Sequence, residues 1–267
     1  MKIAVTGKGG VGKTTVAAIL ARLYADEGHK VLAADVDPDA NLGAALGFTQ
    51  AELDEITPIS KMRKLIAERT GAGADTYGKF FKINPRVDDI PDMVAREKNG
   101  VKLLVLGTVE TGGSGCVCPE HVVMKRIISH LILRREDVVI MDMEAGLEHL
   151  GRGTTDMMDE FIAVVEPGTR SVQTYHQIRR LAGDLGVKTV RVVANKVRSP
   201  ADEEFVRANI PPEALLGIVR FSEDVSGADR AGRSPYEFSP DTVAEIRAIK
   251  DRIDEESAAS GAAKPEI

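Results

Sequence analysis

Short apolar runs recur along the chain at intervals that predict buried strands. Each run spans about five to seven residues and is nearly continuous in aliphatic or β-branched character, which is typical of strands covered on both faces of a parallel sheet. The runs predicted to be strands are Lys2–Thr6, Lys30–Val36, Lys102–Leu106, Asp137–Met141, Phe161–Val165, Thr189–Ala194 and Leu215–Val219.

Segments with helical spacing separate most of these runs. The predicted helices are Thr14–Asp26, His121–Leu133, Ser171–Leu185 and Asp241–Glu256. Strands that alternate with helices predict a doubly wound α/β fold with a mostly parallel sheet of about seven to eight strands. We expect one domain over 1–256, an irregular excursion with one or two helices over 49–100, and a flexible tail over 257–267.

Composition and charge exclude several classes of protein. The 267 residues are 43% hydrophobic, enough for a real core. There are 41 acidic residues against 35 basic ones, a formal net charge of −6, whereas proteins that bind mainly nucleic acid carry a basic excess. No run approaches the roughly 18 apolar residues of a membrane span, and Met1 leads directly into a strand pattern. We therefore expect a cytoplasmic protein with neither membrane nor nucleic acid as partner.

A glycine-rich motif joins the first predicted strand to the first helix. Residues Gly7–Thr14 read Gly-Lys-Gly-Gly-Val-Gly-Lys-Thr and fit the phosphate-loop pattern in the strand–loop–helix context that it requires. The glycines let backbone amides approach phosphate oxygens, Lys13 places a cation at the β- and γ-phosphates, and Thr14 offers a hydroxyl to Mg²⁺. The predicted contacts of ATP or ADP are Gly9, Gly10, Val11, Gly12, Lys13, Thr14 and Thr15.

A second lysine, Lys8, stands in the body of this loop. Because Lys13 already serves the phosphates, Lys8 is either an ordinary solvated lysine or a cation that reaches a nucleotide on a facing subunit. The run Lys8–Thr15 resembles the deviant phosphate loop of the superfamily of MinD, ParA, the nitrogenase iron protein and the arsenite-pump ATPase. This resemblance covers nearly the whole chain. It implies a P-loop NTPase fold of the SIMIBI class, an ATPase that works as an ATP-dependent homodimer, and a catalytic contact of Lys8 with the partner's ATP.

Three aspartates follow predicted strands near this loop. Asp35 and Asp37 come after the second strand, and Asp142 ends the apolar run that begins at Val138. The carboxyl end of a strand beside a phosphate loop is where hydrolysis needs groups for water and Mg²⁺. The resemblance implies that Asp37 polarises the attacking water, although a turn-forming role before Pro38 is the alternative. Asp142 has the form of a Walker B residue that binds Mg²⁺ through water, and we place Asp35 in the second shell around this Mg²⁺.

Two residues after later strands are candidates for the adenine pocket. Asn195 follows the sixth strand, and its amide can both donate to and accept from the edge of a base. Many relatives carry a proline near the end of the next strand, where this chain has Arg220 and Phe221. Phe221 is a substitute that would stack on the base. A simple strand-end turn is the alternative for both positions.

The two cysteines, Cys116 and Cys118, lie between the third strand and a helix. Thiolate pairs bind soft or borderline metals, and a cytoplasmic Cys-x-Cys is more often metallic or redox-active than disulfide-bonded. Two thiolates cannot fill a tetrahedral site, but a two-fold axis through the loop would bring four together. His121 would instead complete a site within one chain, and inert loop cysteines are a further alternative.

The Cys-x-Cys motif and the stretch Met141–Thr154 together resemble the CooC family, ATPases that assist nickel insertion into carbon monoxide dehydrogenase. This resemblance implies ATP-driven dimerisation that creates or reshapes a four-thiolate site for Ni²⁺ or Zn²⁺, with a nickel enzyme as client. An iron–sulfur protein with ATP-dependent reductase activity remains open because four thiolates also hold such clusters. A positioning ATPase like MinD or ParA is disfavoured by the acidic helix at Asp251–Glu256 and by the net charge.

Overall fold

The structure is a computed structural model, and it describes residues 1–37, 39–72, 81–107, 119–134, 138–144, 158–187 and 189–261. Within these residues one sheet has the order β3-β4-β2-β5-β1-β6-β7-β8. Its strands are β1 (Lys2–Gly7), β2 (Val31–Asp35), β3 (Arg96–Lys98), β4 (Val101–Val105), β5 (Val138–Asp142), β6 (Glu160–Val165), β7 (Arg191–Val197) and β8 (Leu215–Arg220). Neighbours pair in parallel, except that β3 is antiparallel to β4.

This sheet confirms the predicted fold class. All seven predicted strands are present with small differences at their ends, because each is an apolar run buried between two layers. The eighth strand, β3, was not predicted. It reads Arg-Glu-Lys and lies at the edge of the sheet, where a strand needs one pairing neighbour and no apolar face.

Helices cover both faces of the sheet. They are α1 (Lys13–Asp26), α2 (Leu42–Ala45), α3 (Gln50–Asp54), α4 (Arg63–Thr70), α5 (Ile90–Val94), α6 (Pro119–Arg134), α7 (Thr169–Asp184), α8 (Pro200–Asn209), α9 (Glu223–Arg230), α10 (Pro235–Phe238) and α11 (Pro240–Gly261). One core cluster joins the sheet to α4, α6, α7 and α8. A second joins its other face to α1, α2 and α11. No described helix is both long and apolar enough to cross a membrane.

Two predicted boundaries need correction. Among its described residues the segment 49–100 holds three short helices, a 3₁₀ turn at Ile59–Lys61 and the strand β3, so the expectation of one or two helices was too low. The last helix runs to Gly261 rather than ending at Glu256, and residues 262–267 lie outside the described part of the chain. The residues 257–261 show no clear period of apolar positions, but alanine and serine allow a helix to continue.

The helix α8 was missed because its apolar stripe is thin. Val206 is its buried residue, and a helix that covers little core gives a weak hydrophobic period. Its N-terminus nevertheless carries recognisable sequence signals. Ser199 accepts a hydrogen bond from the backbone of Asp202 in a capping box, and Pro200 occupies the first turn.

Candidate nucleotide-binding site

The phosphate loop lies where the sequence placed it, between β1 and α1. Gly12 immediately precedes α1 with φ 94°, in the left-handed region. A Cβ at this position would lie 2.2 Å from Nδ2 of Asn195, so both backbone conformation and space require glycine. Gly9 and Gly10 are exposed, and Thr15 is half-buried in the first turn of α1. The loop therefore offers the N-terminus of α1 to solvent, the arrangement that binds phosphate.

Val11 holds the loop against the core. Its side chain is fully buried and belongs to the cluster that contains α1. Its backbone carbonyl accepts a hydrogen bond of 2.8 Å from Asn195 Nδ2. Val11 can thus offer a nucleotide its backbone but not its side chain.

Lys13 and Asp37 meet across the loop. The ammonium of Lys13 lies 3.1 Å from Oδ2 of Asp37, and both side chains are largely buried. Asp37 lies just beyond the carboxyl end of β2, beside the phosphate loop. In this arrangement the ion pair neutralises both groups. Phosphates that approach the loop would compete for Lys13 and would leave the Asp37 carboxylate available to a water molecule.

Asp142 and Thr14 form the part of the site suited to Mg²⁺. Thr14 Oγ1 donates a hydrogen bond of 2.6 Å to Oδ2 of Asp142. The other oxygen, Oδ1, is buried and has no hydrogen-bond partner among the described residues. Burial raises the pKa of Asp142 to about 6. An unsatisfied buried carboxylate oxygen beside a threonine hydroxyl fits a hard divalent cation, bound directly or through water.

Asp35 lies beside Asp142 on the neighbouring strand of the sheet. The two residues are register partners on the neighbouring strands β2 and β5. Asp35 is fully buried and accepts backbone hydrogen bonds from Leu42 at 2.9 Å and Asp37 at 3.2 Å. Burial, with a contribution from the Asp142 charge, raises its pKa to about 7. The carboxyl of Asp35 therefore holds the chain that carries Asp37, while its place near Mg²⁺ stays a prediction.

Both polar atoms of the Asn195 side chain form hydrogen bonds within the protein. Its Nδ2 bonds the carbonyl of Val11, and its Oδ1 accepts from the backbone of Lys196 at 2.9 Å. Asn195 is also 7% exposed. The structure thus gives it a role in tying β7 to the phosphate loop, and contact with adenine stays a prediction.

Lys196 contacts the phosphate loop, and sequence reasoning did not single it out. It has φ 60°, unusual for a residue with a side chain, and its ammonium donates to the carbonyl of Gly10. Such backbone strain tends to occur at functional sites. Its position directly after Asn195 was the one available signal, because a strained dihedral has no signature in the residue type.

Phe221 lies at the end of β8, next to the end of β7. Its backbone NH donates to the carbonyl of Val197 at 3.0 Å. The guanidinium of Arg198 stacks over its ring, 3.4 Å from the centroid. One face of the ring is therefore covered by a cation, and stacking of Phe221 on a base stays a prediction.

Lys8 and the cysteines are the remaining candidates. Lys8 is half-buried, and among the described residues no carboxylate lies within 4.0 Å of its ammonium. Cys116 and Cys118 lie outside the described residues, just before α6. His121 is half-buried in the first turn of α6. Among the side chains that the structure describes, no three metal-ligating groups gather into one cluster.

Comparison with known proteins connects this site to a family. Residues 2–236 match the CbiA family, described as the CobQ/CobB/MinD/ParA nucleotide binding domain. The chain is 50% identical over 240 residues to the carbon monoxide dehydrogenase accessory protein CooC of Rhodospirillum rubrum, covering 90% of this chain and 91% of the relative. It is 46% identical over 252 residues to an ATP-binding protein of Methanocaldococcus jannaschii, covering 93% and 96%.

Solved structures share the fold at low sequence identity. A putative plasmid partition protein of Borrelia burgdorferi B31, bound to AMPPNP, matches with a TM-score of 0.66 and 16% identity over 96% of this chain and 99% of that one. A chain of the MinC:MinD cell division protein complex of Aquifex aeolicus matches with a TM-score of 0.65, 16% identity and 96% coverage of both chains. Since the similarity to CooC spans nine-tenths of both chains and the matched nucleotide-binding domain includes this phosphate loop, the chain belongs to the CooC family within the CobQ/CobB/MinD/ParA group of P-loop ATPases.

Proposed function

We propose that this ATPase is an ATP-dependent, dimerising metallochaperone that assists nickel insertion into carbon monoxide dehydrogenase in the cytoplasm. The observation that carries the proposal is the identity of 50%, over nearly the full length, to the carbon monoxide dehydrogenase accessory protein CooC. A cargo metal also needs soft ligands, and the sequence supplies two cysteines separated by one residue.

The proposed cargo site consists of Cys116 and Cys118 from each of two subunits. Residue 118 directly precedes α6, which follows β4 at the carboxyl edge of the parallel sheet. The phosphate loop lies at the same edge, as parallel strands require. Four thiolates related by a two-fold axis satisfy the coordination of Ni²⁺ or Zn²⁺. An iron–sulfur cluster on the same thiolates is the competing occupant.

Shared ligands would couple metal binding to nucleotide state. A metal held by both subunits is bound only while the dimer persists, so ATP binding can favour capture and hydrolysis can favour release. Lys8 supports this coupling because it stands in the loop without a carboxylate partner among the described residues. In the proposal its ammonium contacts the ATP of the partner subunit.

In this proposal the residues of the site have separate roles in ATP hydrolysis. Lys13 and the loop amides bind the β- and γ-phosphates, and Asp37 orients water after Lys13 turns to the phosphates. Mg²⁺, when bound, neutralises phosphate charge, and Thr14 with Asp142 would hold it. Asp35 keeps the backbone of Asp37 in place.

The metal proposal is tested by metal content measured on the purified dimer with ATP and Mg²⁺. We expect one Ni or Zn per two chains, lost in Cys116→Ser and kept in the matched variant His121→Gln. One metal per chain without a change in oligomeric state would overturn the shared site. Iron with acid-labile sulfide in the dimer would favour the redox protein instead.

The ATPase roles are tested by separating binding, turnover and dimerisation. Asp37→Ala should bind ATP normally while turnover falls by about 10²-fold or more. Lys8→Ala should bind ATP but fail to dimerise in sedimentation experiments. Full turnover in the first variant, or an unchanged ATP-dependent dimer in the second, would remove the assigned role.

A further inference from the structure

Two consecutive residues near the end of β7 donate hydrogen bonds to two consecutive carbonyls of the phosphate loop. Asn195 donates from Nδ2 to the carbonyl of Val11 at 2.8 Å. Lys196 donates from its ammonium to the carbonyl of Gly10. Among the described residues no carboxylate lies within 4.0 Å of this ammonium. The bond from Lys196 to the loop therefore does not compete with an ion pair in that part of the chain.

An irregularity in β7 accompanies this double contact. Successive side chains of a regular strand point to opposite faces of the sheet, so two neighbours do not ordinarily reach one loop. In β7 the pairing with β8 shifts register between Ala194 and Val197, and Lys196 has φ 60°, in the left-handed region. Such a conformation costs free energy in a residue with a side chain and tends to occur at functional sites. Both side chains at this irregularity contact the phosphate loop.

The two donors are coupled to each other. Oδ1 of Asn195 accepts a hydrogen bond of 2.9 Å from the backbone amide of Lys196, which directs Nδ2 towards Val11. The Asn195 side chain is buried and approaches the loop so closely that a Cβ at Gly12 would meet its Nδ2. Packing and hydrogen bonds thus fix the position of the Asn195 amide against the loop.

Peptide geometry relates these bonds to phosphate binding. In a trans peptide the carbonyl oxygen and the following amide hydrogen point in opposite directions. The carbonyl of Gly10 shares a peptide with the amide of Val11, and the carbonyl of Val11 shares one with the amide of Gly12. Donors that hold both carbonyls therefore direct both amides away from β7. The Val11 amide lies 3.4 Å from the carbonyl of Lys8, inside the curve of the loop. This bond is long, so the amide stays available to an anion in that concavity.

We propose that Asn195 and Lys196, which we call the loop latch, are positioning residues that hold the phosphate loop in its anion-binding shape. The loop latch acts on phosphate through the amides of Val11 and Gly12, because donors arranged in advance need no reorganisation when the ligand binds. It acts on any ligand with two linked phosphates, whatever the base. The inference concerns nucleotide binding by the ATPase and needs neither the cargo metal nor the dimer, so it stands or falls separately from the metallochaperone proposal.

The test compares the binding of ADP and of inorganic pyrophosphate, each with Mg²⁺, by isothermal titration calorimetry. Lys196→Met keeps the aliphatic part of the side chain and removes the donor. It should weaken binding of both ligands by the same factor, about tenfold or more, as expected for a charge-assisted hydrogen bond. Lys196→Arg retains a cationic donor and should restore most of the affinity for both ligands.

Two further variants separate the donor from other effects. Lys196→Gly loses the same ammonium but accommodates φ 60° without strain, so it should show the same loss in both affinities. Lys102→Met removes a partly buried lysine that pairs with Asp92 at 3.3 Å on the distant strand β4, and it should bind both ligands as the wild type does. Urea unfolding verifies that each variant is folded. The losses at residue 196 should persist at high salt, which screens a simple change of charge.

The choice of ligands also separates the loop latch from a contact with the base. Asn195→Ala should weaken ADP and pyrophosphate alike. Loss of ADP affinity with unchanged pyrophosphate affinity, in this variant or in Lys196→Met, would overturn the proposal in favour of a base contact. A loss in Lys196→Met that disappears at high salt would overturn it in favour of charge attraction alone. Absence of pyrophosphate binding by the wild type would also overturn it, because a loop held in its anion-binding shape does not need the base.

Discussion

The two ends of α1 handle buried charge in opposite ways. At its first turn, Lys13 is 7% exposed and pairs with Asp37, while one oxygen of Asp142, beside Thr14, has no partner within the described part of the chain. Near its last turn, Lys250 of the neighbouring helix α11 is 3% exposed. Its ammonium lies 2.6 Å from Glu27, 2.9 Å from Asp254 and 3.6 Å from Asp251.

The difference separates a binding site from a structural contact. Around Lys250 the charges satisfy one another, and Tyr24 adds a hydrogen bond of 2.8 Å to Asp254. At the phosphate loop Lys13 is paired, but one buried oxygen of Asp142 has no partner among the described residues, and burial raises the pKa values of Asp35 and Asp142. Unsatisfied buried groups cost stability, and a ligand that satisfies them gains affinity from the same groups. Four predictions test this contrast.

The largest expected effect is loss of turnover in Lys13→Met. Removing the cation that binds the β- and γ-phosphates should lower ATP turnover by about 10²- to 10³-fold. The free energy of unfolding should also fall, because Asp37 is largely buried and would lose its counter-ion. Steady-state hydrolysis and urea unfolding measure the two quantities. A variant that turns over ATP at the normal rate would contradict the assignment of Lys13.

The second prediction concerns Asp142 and pH. In the folded chain its pKa is raised to about 6 from an ordinary 3.8, so the folded state holds a proton that the unfolded state has lost between these values. Stability from this group is therefore present at low pH and is lost as pH rises towards 6. At pH 8 the buried charge costs about 3 kcal/mol. Without Mg²⁺, Asp142→Asn should be more stable than wild type by up to about that amount.

The measurement for Asp142→Asn is urea unfolding at pH 4 and pH 8, with and without Mg²⁺ and ADP. The difference from wild type should shrink towards zero at pH 4, where the wild-type carboxyl is protonated. Mg²⁺ with ADP should stabilise the wild type more than the variant. An Asn variant that is less stable than wild type at pH 8 would contradict the view that this charge is unsatisfied.

The third prediction uses Lys250→Met as the counterpart of Lys13→Met. It removes the counter-ion of three carboxylates that are partly exposed, so we expect a loss of about 2 kcal/mol in the free energy of unfolding. ATP turnover per folded molecule should not change. Urea unfolding measured beside an activity assay separates these outcomes. A variant as stable as wild type would show that the cluster is not a structural contact.

The smallest effect is expected for Tyr24→Phe. Burial and the hydrogen bond with Asp254 raise the pKa of Tyr24 far above its ordinary value, so the phenol stays protonated and keeps donating. Its removal should cost about 1 kcal/mol of unfolding free energy. In the Lys250→Met background the cost should differ, because both groups share Asp254. Additive losses in a double-mutant cycle would argue against a coupled cluster.

Sequence reasoning could group most residues of the candidate nucleotide site because its parts are local. The phosphate loop is a continuous motif, and Asp37 and Asp142 were found at the ends of apolar runs. Their meeting with Lys13 and Thr14 could be expected because parallel strands end at one edge. The hydrogen bond from Asn195 to the carbonyl of Val11 could not be expected, because it joins residues 184 positions apart.

Charge distribution could not be predicted from composition. The net charge of −6 indicates an acidic protein, yet the exposed cations of α6 and α7 have no carboxylate within 4.0 Å among the described residues. Which lysines and arginines pair depends on the helices that the fold places side by side. Lys250 pairs with Glu27 only because α11 packs against α1.

By itself the sequence determined the α/β alternation, the phosphate loop, the CooC resemblance and the Cys-x-Cys motif. These depend on residue type and short spacing, which a chain carries whatever its fold. The tertiary structure decided the order of the strands and the presence of the edge strand β3. It also decided which oxygen of Asp142 lacks a partner among the described residues, and the positive φ of Lys196. Each of these depends on which distant groups meet and which are left without a partner after packing, and burial then sets their electrostatic cost.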